Sequence, residues 1–229
     1  VLKWIKDSFE RPRKIFVTGV SAGSYGAIGG FPFIKKAFPL SRVDVLGDAG
    51  NGVTSEAFRY GGIYNWNVQV PDWIPGYEDG YDPEMTTADM YTNYAKYYRL
   101  SKVAQYTTAW DETQAWFYNL QVDGFLDDPT LWGDLPIDEV WCDWNAQMRE
   151  FAYDTAAAAR NYRYYIAAGM DHTILMSPKF YTEGSAGIPF VKWVKAMVRS
   201  PFGMWGGPGQ GRWRNLECDA CEDPVDCTP

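Results

Sequence analysis

The sequence predicts an α/β fold: a mostly parallel sheet with helices on both faces. Two observations carry that expectation. Short apolar runs alternate with longer segments whose apolar residues recur at helical spacing, and such strand–helix–strand succession joins parallel strands by crossovers. The balance is also that of one globular domain: 229 residues, 46% hydrophobic and 22% charged, are enough to bury a single core over 1–229.

The elements follow in order. "VLKWIKDSF" places Val1, Leu2, Ile5 and Phe9 on one helical face, and the proline of "RPRK" ends that helix. "IFVTGV" reads as a buried strand, "SAGSYGAIGGFPFIKKAF" as a turn and a glycine-loosened helix, and "RVDVLGDAG" as a second strand ending in a turn. Residues 51–83 are rich in Gly, Pro, Asp and aromatics and read as a long irregular, lid-like excursion. "TTADMYTNYAKYYRL" is a helix with a Thr or Asp cap, and "KVAQYTTAWDE" is a third strand running into an acidic turn. A long helix spans "DEVWCDWNAQMREFAYDTAAAARN", "YRYYIAAGMDH" is a fourth strand, and "IPFVKWVKAMVRS" is a closing helix before a cysteine-rich tail at 216–229.

Charge and composition narrow the function. A net charge of −8 without a basic cluster disfavours nucleic acid and anionic membranes as partners. No apolar run approaches the ~20 residues that cross a bilayer. The chain opens at Val1 without a charged-then-apolar leader, so a signal peptide is expected to have been removed or to lie outside this sequence. Aromatics reach 17%, including 11 Trp, which fits a well-filled interior, an aromatic-lined cleft, or both. Cys142, Cys218, Cys221 and Cys227 are open to a zinc site or a redox pair. Two disulfides are the better reading, with connectivity undecided, and they imply an oxidising compartment: secreted, extracellular or periplasmic.

The chemistry centres on Gly19-Val20-Ser21-Ala22-Gly23, a G-x-S-x-G pentad that follows a strand and opens a helix. A serine on such a turn crowds neighbouring backbone, so both flanking positions are expected to need glycine. The turn would aim the Ala22 N–H at a developing oxyanion. Serine needs a base, and His172 is the only histidine, on the turn after the fourth strand. The carboxylate that orients it lies between them in chain order, Asp111 or Asp48. Asp111, after the third strand, is favoured; Asp48 is left in the pocket wall, and Asp171 would point away from its neighbour His172. No cofactor or metal is required. Trp66, Trp73 and Tyr77 of the excursion are expected to shape a substrate cleft.

"VTGVSAGSYGA", "LGDAG", "QYTTAWDETQAWF" and "DHTI" together resemble the pectin acetylesterase/Notum family of serine carboxylesterases. The resemblance implies an α/β-hydrolase-like fold and hydrolysis of a carboxylic ester, commonly an acyl group on a sugar or a protein side chain, with the family's serine, aspartate and histidine falling on Ser21, Asp111 and His172. It also implies four strands and a glycine-rich GGGW-like oxyanion turn ahead of the serine, which the residues before Ser21 do not supply. An upstream segment of the same precursor is therefore the expected partner, a pared-down variant the alternative. "IFVTGV", apolar on both faces, would otherwise lie at a sheet edge. The remaining alternatives are a polyester or aryl-ester hydrolase, amidase or acyltransferase chemistry on the same three residues, and a non-catalytic carbohydrate-binding module on a hydrolase frame.

Overall fold

The computed structural model describes residues 2–122, 128–134, 138–199, 211–219, 221 and 227. Its centre is a parallel sheet of β1 (Lys14–Val20), β2 (Arg42–Asp48), β3 (Val103–Thr108), β4 (Tyr162–Ala167) and the short β7 (Leu216–Glu217), in the order β1-β2-β3-β4-β7. All four pairings are parallel, so every strand delivers the chain to the same edge of the sheet. A separate two-stranded hairpin joins β5 (Gly184–Ser185) to β6 (Ile188–Pro189).

Strand alternation explains the two-sided core. From β2, Val43 and Val45 face α2 (Ala22–Ala37) and α4 (Thr87–Tyr97), packing with Ile28, Phe31, Tyr91 and Tyr94. Leu46 faces the other way, where Tyr106, Tyr165, Phe190, Trp193 and Met197 pack around α8 (Phe190–Arg199). A third cluster puts Trp110, Trp141, Trp144 and Met148 between α5 (Glu112–Val122) and α6 (Asp138–Ala158). Trp144, Trp193, Tyr77, Tyr91, Tyr94, Tyr162 and Tyr165 are among the largest fully buried side chains, so much of the aromatic excess fills the interior.

β2 and β3 are buried along their whole length, whereas β1 is only partly covered. β1 pairs with β2 alone among the described strands. The opening helix α1 (Leu2–Ser8) buries none of its residues. The excursion at 51–83 contains α3 (Glu56–Gly61) and a 3-10 turn at Ile63–Trp66. α4 begins as the sequence suggests, with a capping box between Thr86 and Asp89.

Besides α3, the 3-10 turn and the β5–β6 hairpin, two further elements go beyond the sequence reading. Residues Glu112–Val122 form α5, whose buried face carries Gln114 and Asn119 beside Ala115, Tyr118 and Leu120. Polar residues on that face hide the apolar period that marks a helix. β7 has only two residues, too short to show any pattern.

The cysteines pair as Cys142–Cys227 and Cys218–Cys221. The first closes a separation of 85 residues and ties α6 to the tail; the second spans a separation of 3. Removing the long-range bridge by Cys142→Ala with Cys227→Ala is expected to cost about 2–4 kcal/mol, seen as a lower urea midpoint with a steeper slope, because the unfolded chain is no longer cross-linked and exposes more surface. Opening the short bridge should move the midpoint much less, since little loop entropy is at stake.

Candidate active site

The parallel sheet brings the ends of β1, β2, β3 and β4 to one edge, and the residues of interest sit there. Ser21 directly follows β1 and precedes α2, with φ 53° and ψ −124°, a conformation that non-glycine residues rarely adopt. Its N–H donates to the carbonyl of Asp48 on β2 at 2.8 Å, and its own carbonyl accepts from the Ser24 N–H at 2.9 Å. The turn is tight for one reason: a Cβ on Gly19 would run into the carbonyl oxygen and carbon of Gly23, whereas a Cβ on Gly23 meets nothing within 4 Å. Of the two flanking glycines expected to be needed, close approach requires only Gly19. Ala22 is exposed as the first residue of α2, where backbone N–H groups have no acceptor within their own helix.

Asp111 lies just after β3 and just before α5, fully buried. Its Oδ1 accepts from the Gln114 backbone N–H at 2.9 Å and its Oδ2 from Gln114 Nε2 at 2.9 Å. The His172 Nδ1 stands 2.9 Å from each of the two oxygens. Both carboxylate oxygens are therefore engaged by fixed donors, which sets the plane of the group and hence the direction in which it meets the imidazole. Gln114 is itself held: its Oε1 accepts from the Asn51 N–H at 2.8 Å, and its Nε2 also reaches Thr107 Oγ1 at 3.1 Å.

His172 stands in the loop that leaves β4. The loop is laced to the Asp111 turn by Ala109 N–H to Ala167 O (2.8 Å), Trp110 N–H to Gly169 O (3.1 Å) and Glu112 N–H to Met170 O (3.2 Å). The Asp171 carboxylate turns outward to Lys179, as its position in sequence suggests. The His172 Nε2 is buried and has no hydrogen-bond partner among the described residues, so the link to Ser21 Oγ is not closed in this conformation. Such bonds commonly tighten only when substrate arrives.

Asp48 is fully buried and does not face a cleft. Its oxygens accept the Ile174 N–H (3.1 and 2.9 Å) and the Leu175 N–H (2.8 Å), just beyond His172. Burial pushes this carboxyl up to about 6; the two N–H groups and His172 oppose the rise, and Asp111 adds to it. Tyr25, one helical turn past Ser21, is 40% exposed as a residue, but desolvation of its hydroxyl pushes it up to about 12, against a bond from the Gly52 backbone and with a smaller push from the Asp111 charge. Tyr25, Gln114 and Asn51 were not singled out from sequence, although Asp111-x-x-Gln114 has the spacing of a helix-capping pair.

Of the excursion aromatics, Trp73 and Tyr77 pack against α2 and α4. Trp73 and Tyr77 line a cleft of about 740 Å³ with Phe33, Tyr64 and Tyr81. Phe33 is on α2 twelve residues beyond Ser21, about 18 Å along the helix axis. Trp73 packs edge-on to Phe33, donates from Nε1 to the Tyr98 hydroxyl at 3.0 Å and carries Lys36 Nζ over its ring. Tyr77 is fully buried, and Trp66 is 65% exposed against Phe58. Asp48, Trp73 and Tyr77 are thus held by contacts within the fold. Among the described residues no group of three or more His, Cys, Asp or Glu side chains is gathered in a way that could hold a metal ion.

A parallel sheet with helices on both faces, a serine in a strained strand-to-helix turn and a histidine–aspartate pair at the same edge define an α/β-hydrolase-like fold. The chain is similar in structure to the Wnt deacylase Notum from Drosophila, with a TM-score of 0.52 and 15% identity, over 80% of this chain and 53% of that one. It therefore spans about half the length of that structure. No protein-family model matches the sequence, and no curated protein matches it.

Proposed function

We propose that the chain carries the reactive centre of a serine carboxylic ester hydrolase. Ser21 Oγ attacks the acyl carbon while His172 Nε2 takes its proton, and the tetrahedral oxyanion is held by the Ala22 N–H at the start of α2. Collapse expels the alcohol, protonated by His172, and leaves Ser21 acylated; water then attacks through the same base and releases the acid. Asp111 keeps the proton on Nδ1, so that Nε2 is the basic nitrogen, and offsets the imidazolium charge.

The observation that carries this reading is the Asp111–His172 contact at 2.9 Å from both oxygens, at the sheet edge where Ser21 is held by Asp48. A Wnt deacylase as structural neighbour is consistent with acyl transfer, and two disulfides fit an extracellular ester as substrate. No described helix is long and apolar enough to cross a membrane. A small ester at Ser21 would not reach the cleft at Trp73, about 18 Å along α2, whereas an extended acylated polysaccharide could occupy both.

A fluorophosphonate probe tests the reading without knowledge of the natural ester. It should add once, on Ser21, and Ser21→Ala or His172→Ala should remove the adduct. An unlabelled wild type, or equal labelling of Ser21→Ala, would leave only a binding module on a hydrolase frame.

A further inference from the structure

We infer that Asp48 is a positioning residue that ties the serine turn to the histidine loop, so that one buried side chain fixes the approach of Ser21 to His172. The inference rests on the reading of those two residues as the reacting pair. Asp48 ends β2, the strand between the one that delivers Ser21 and the one that delivers Asp111. Its backbone carbonyl accepts the Ser21 N–H at 2.8 Å. Its carboxylate reaches the other way and accepts the Ile174 and Leu175 N–H groups at 2.8–3.1 Å. The loop that leaves β4 must therefore cross the end of β3 to arrive beside β2, which is what carries His172 toward the serine.

Backbone strain marks both ends of this tie. Ser21 has φ 53°, and Thr173, between His172 and the gripped Ile174, has φ 63°. For a β-branched residue that is a costly conformation, and it persists only where the surroundings over-determine it. Asp48 supplies the constraint in each case: a carbonyl beside Ser21, a carboxylate beside Thr173. Released from it, Thr173 would relax and take His172 with it.

The tie also responds to protons. The charged and titratable groups around Asp48 are His172 on the loop, which favours the carboxylate, Asp111 on the turn after β3, which opposes it, and Tyr106 on β3, whose buried hydroxyl stays protonated. Since burial raises Asp48 to about 6, it takes up a proton in mild acid and its bonds to the loop lose their charge assistance. The folded chain binds this proton more readily than the unfolded chain, where the group sits near its ordinary 3.8. Protonation therefore adds to global stability as pH falls from about 6 towards 4, while it weakens the tie. Reactivity and stability should part company.

Two measurements test this. Amide hydrogen exchange on the wild-type protein between pH 7.5 and 5, corrected for intrinsic rates, should show Ile174 and Leu175 losing protection as pH falls while the β3 amides keep theirs. Fluorophosphonate labelling of Ser21 should fall more steeply below pH 6 in the wild type than in Asp48→Asn, and the variant should label about 10²-fold more slowly at pH 8, the cost of a misplaced base. Unchanged protection at both amides, or an Asp48→Asn profile that overlays the wild type, would overturn the inference. The exchange experiment needs no turnover and no variant, so it separates failure of the tie from failure of the esterase reading.

Discussion

Asp111→Asn is expected to lower kcat on p-nitrophenyl acetate about 10⁴-fold while leaving the fold intact. Both oxygens of Asp111 accept from Gln114, one from its backbone and one from its side chain, and both stand 2.9 Å from His172 Nδ1. An amide has only one oxygen. If it faces the Gln114 backbone, its NH₂ meets the Gln114 side-chain donor; turned around, it meets the backbone donor. Toward His172 the NH₂ favours the tautomer with a bare Nδ1, which places the proton on Nε2 and removes the base from Ser21. The orphaned buried donor adds about 1–3 kcal/mol of instability, short of unfolding a typical domain. The assay pairs kcat with a thermal midpoint. A variant within tenfold of wild-type rate would reduce Asp111 to a cap for α5.

The second large effect concerns the serine turn. Gly19→Ala should cost about 3 kcal/mol or more, because the added Cβ meets the backbone carbonyl of Gly23, which cannot move without shifting the first turn of α2. Gly23→Ala should do the opposite: its Cβ has open space within 4 Å, and replacing a helical glycine gains about 0.5–1 kcal/mol. Urea unfolding of the two variants reads this difference directly. If both lose similar stability, the asymmetry of the pentad is wrong.

The contrast between those glycines shows how far sequence reaches. A G-x-S-x-G pentad after an apolar run marks the strand-to-helix turn, and a lone histidine after the last long strand has one obvious use. The succession of strands is legible from the sequence, but the full burial of "RVDVLGD" is not: three of its seven residues are charged, and they are buried because Arg42 pairs with Asp44 and Asp48 accepts backbone N–H groups. What the pentad does not tell is which glycine the packing needs, since that depends on where a carbonyl four residues on comes to rest. α5 stayed hidden because Gln114 and Asn119 occupy its buried face. The role of Asp48 had no local signature: its partners are backbone N–H groups 126 and 127 positions away. Trp73 and Tyr77 illustrate the same limit, since aromatic content predicts a cleft but not its distance from Ser21.

The terminal place of β1 among the described strands has a consequence for what the chain can join. Seven residues, Lys14–Val20, present on that side a ladder of main-chain groups with no neighbouring described strand to bond. An extended segment that carries its own unpaired main-chain groups can bond them, whether it comes from upstream in a longer chain or from a second molecule. That side of the sheet is where an added strand would join, and it lies on the strand that carries Ser21 at its end. Whatever joins there would therefore bear on the strand that sets the position of the serine turn.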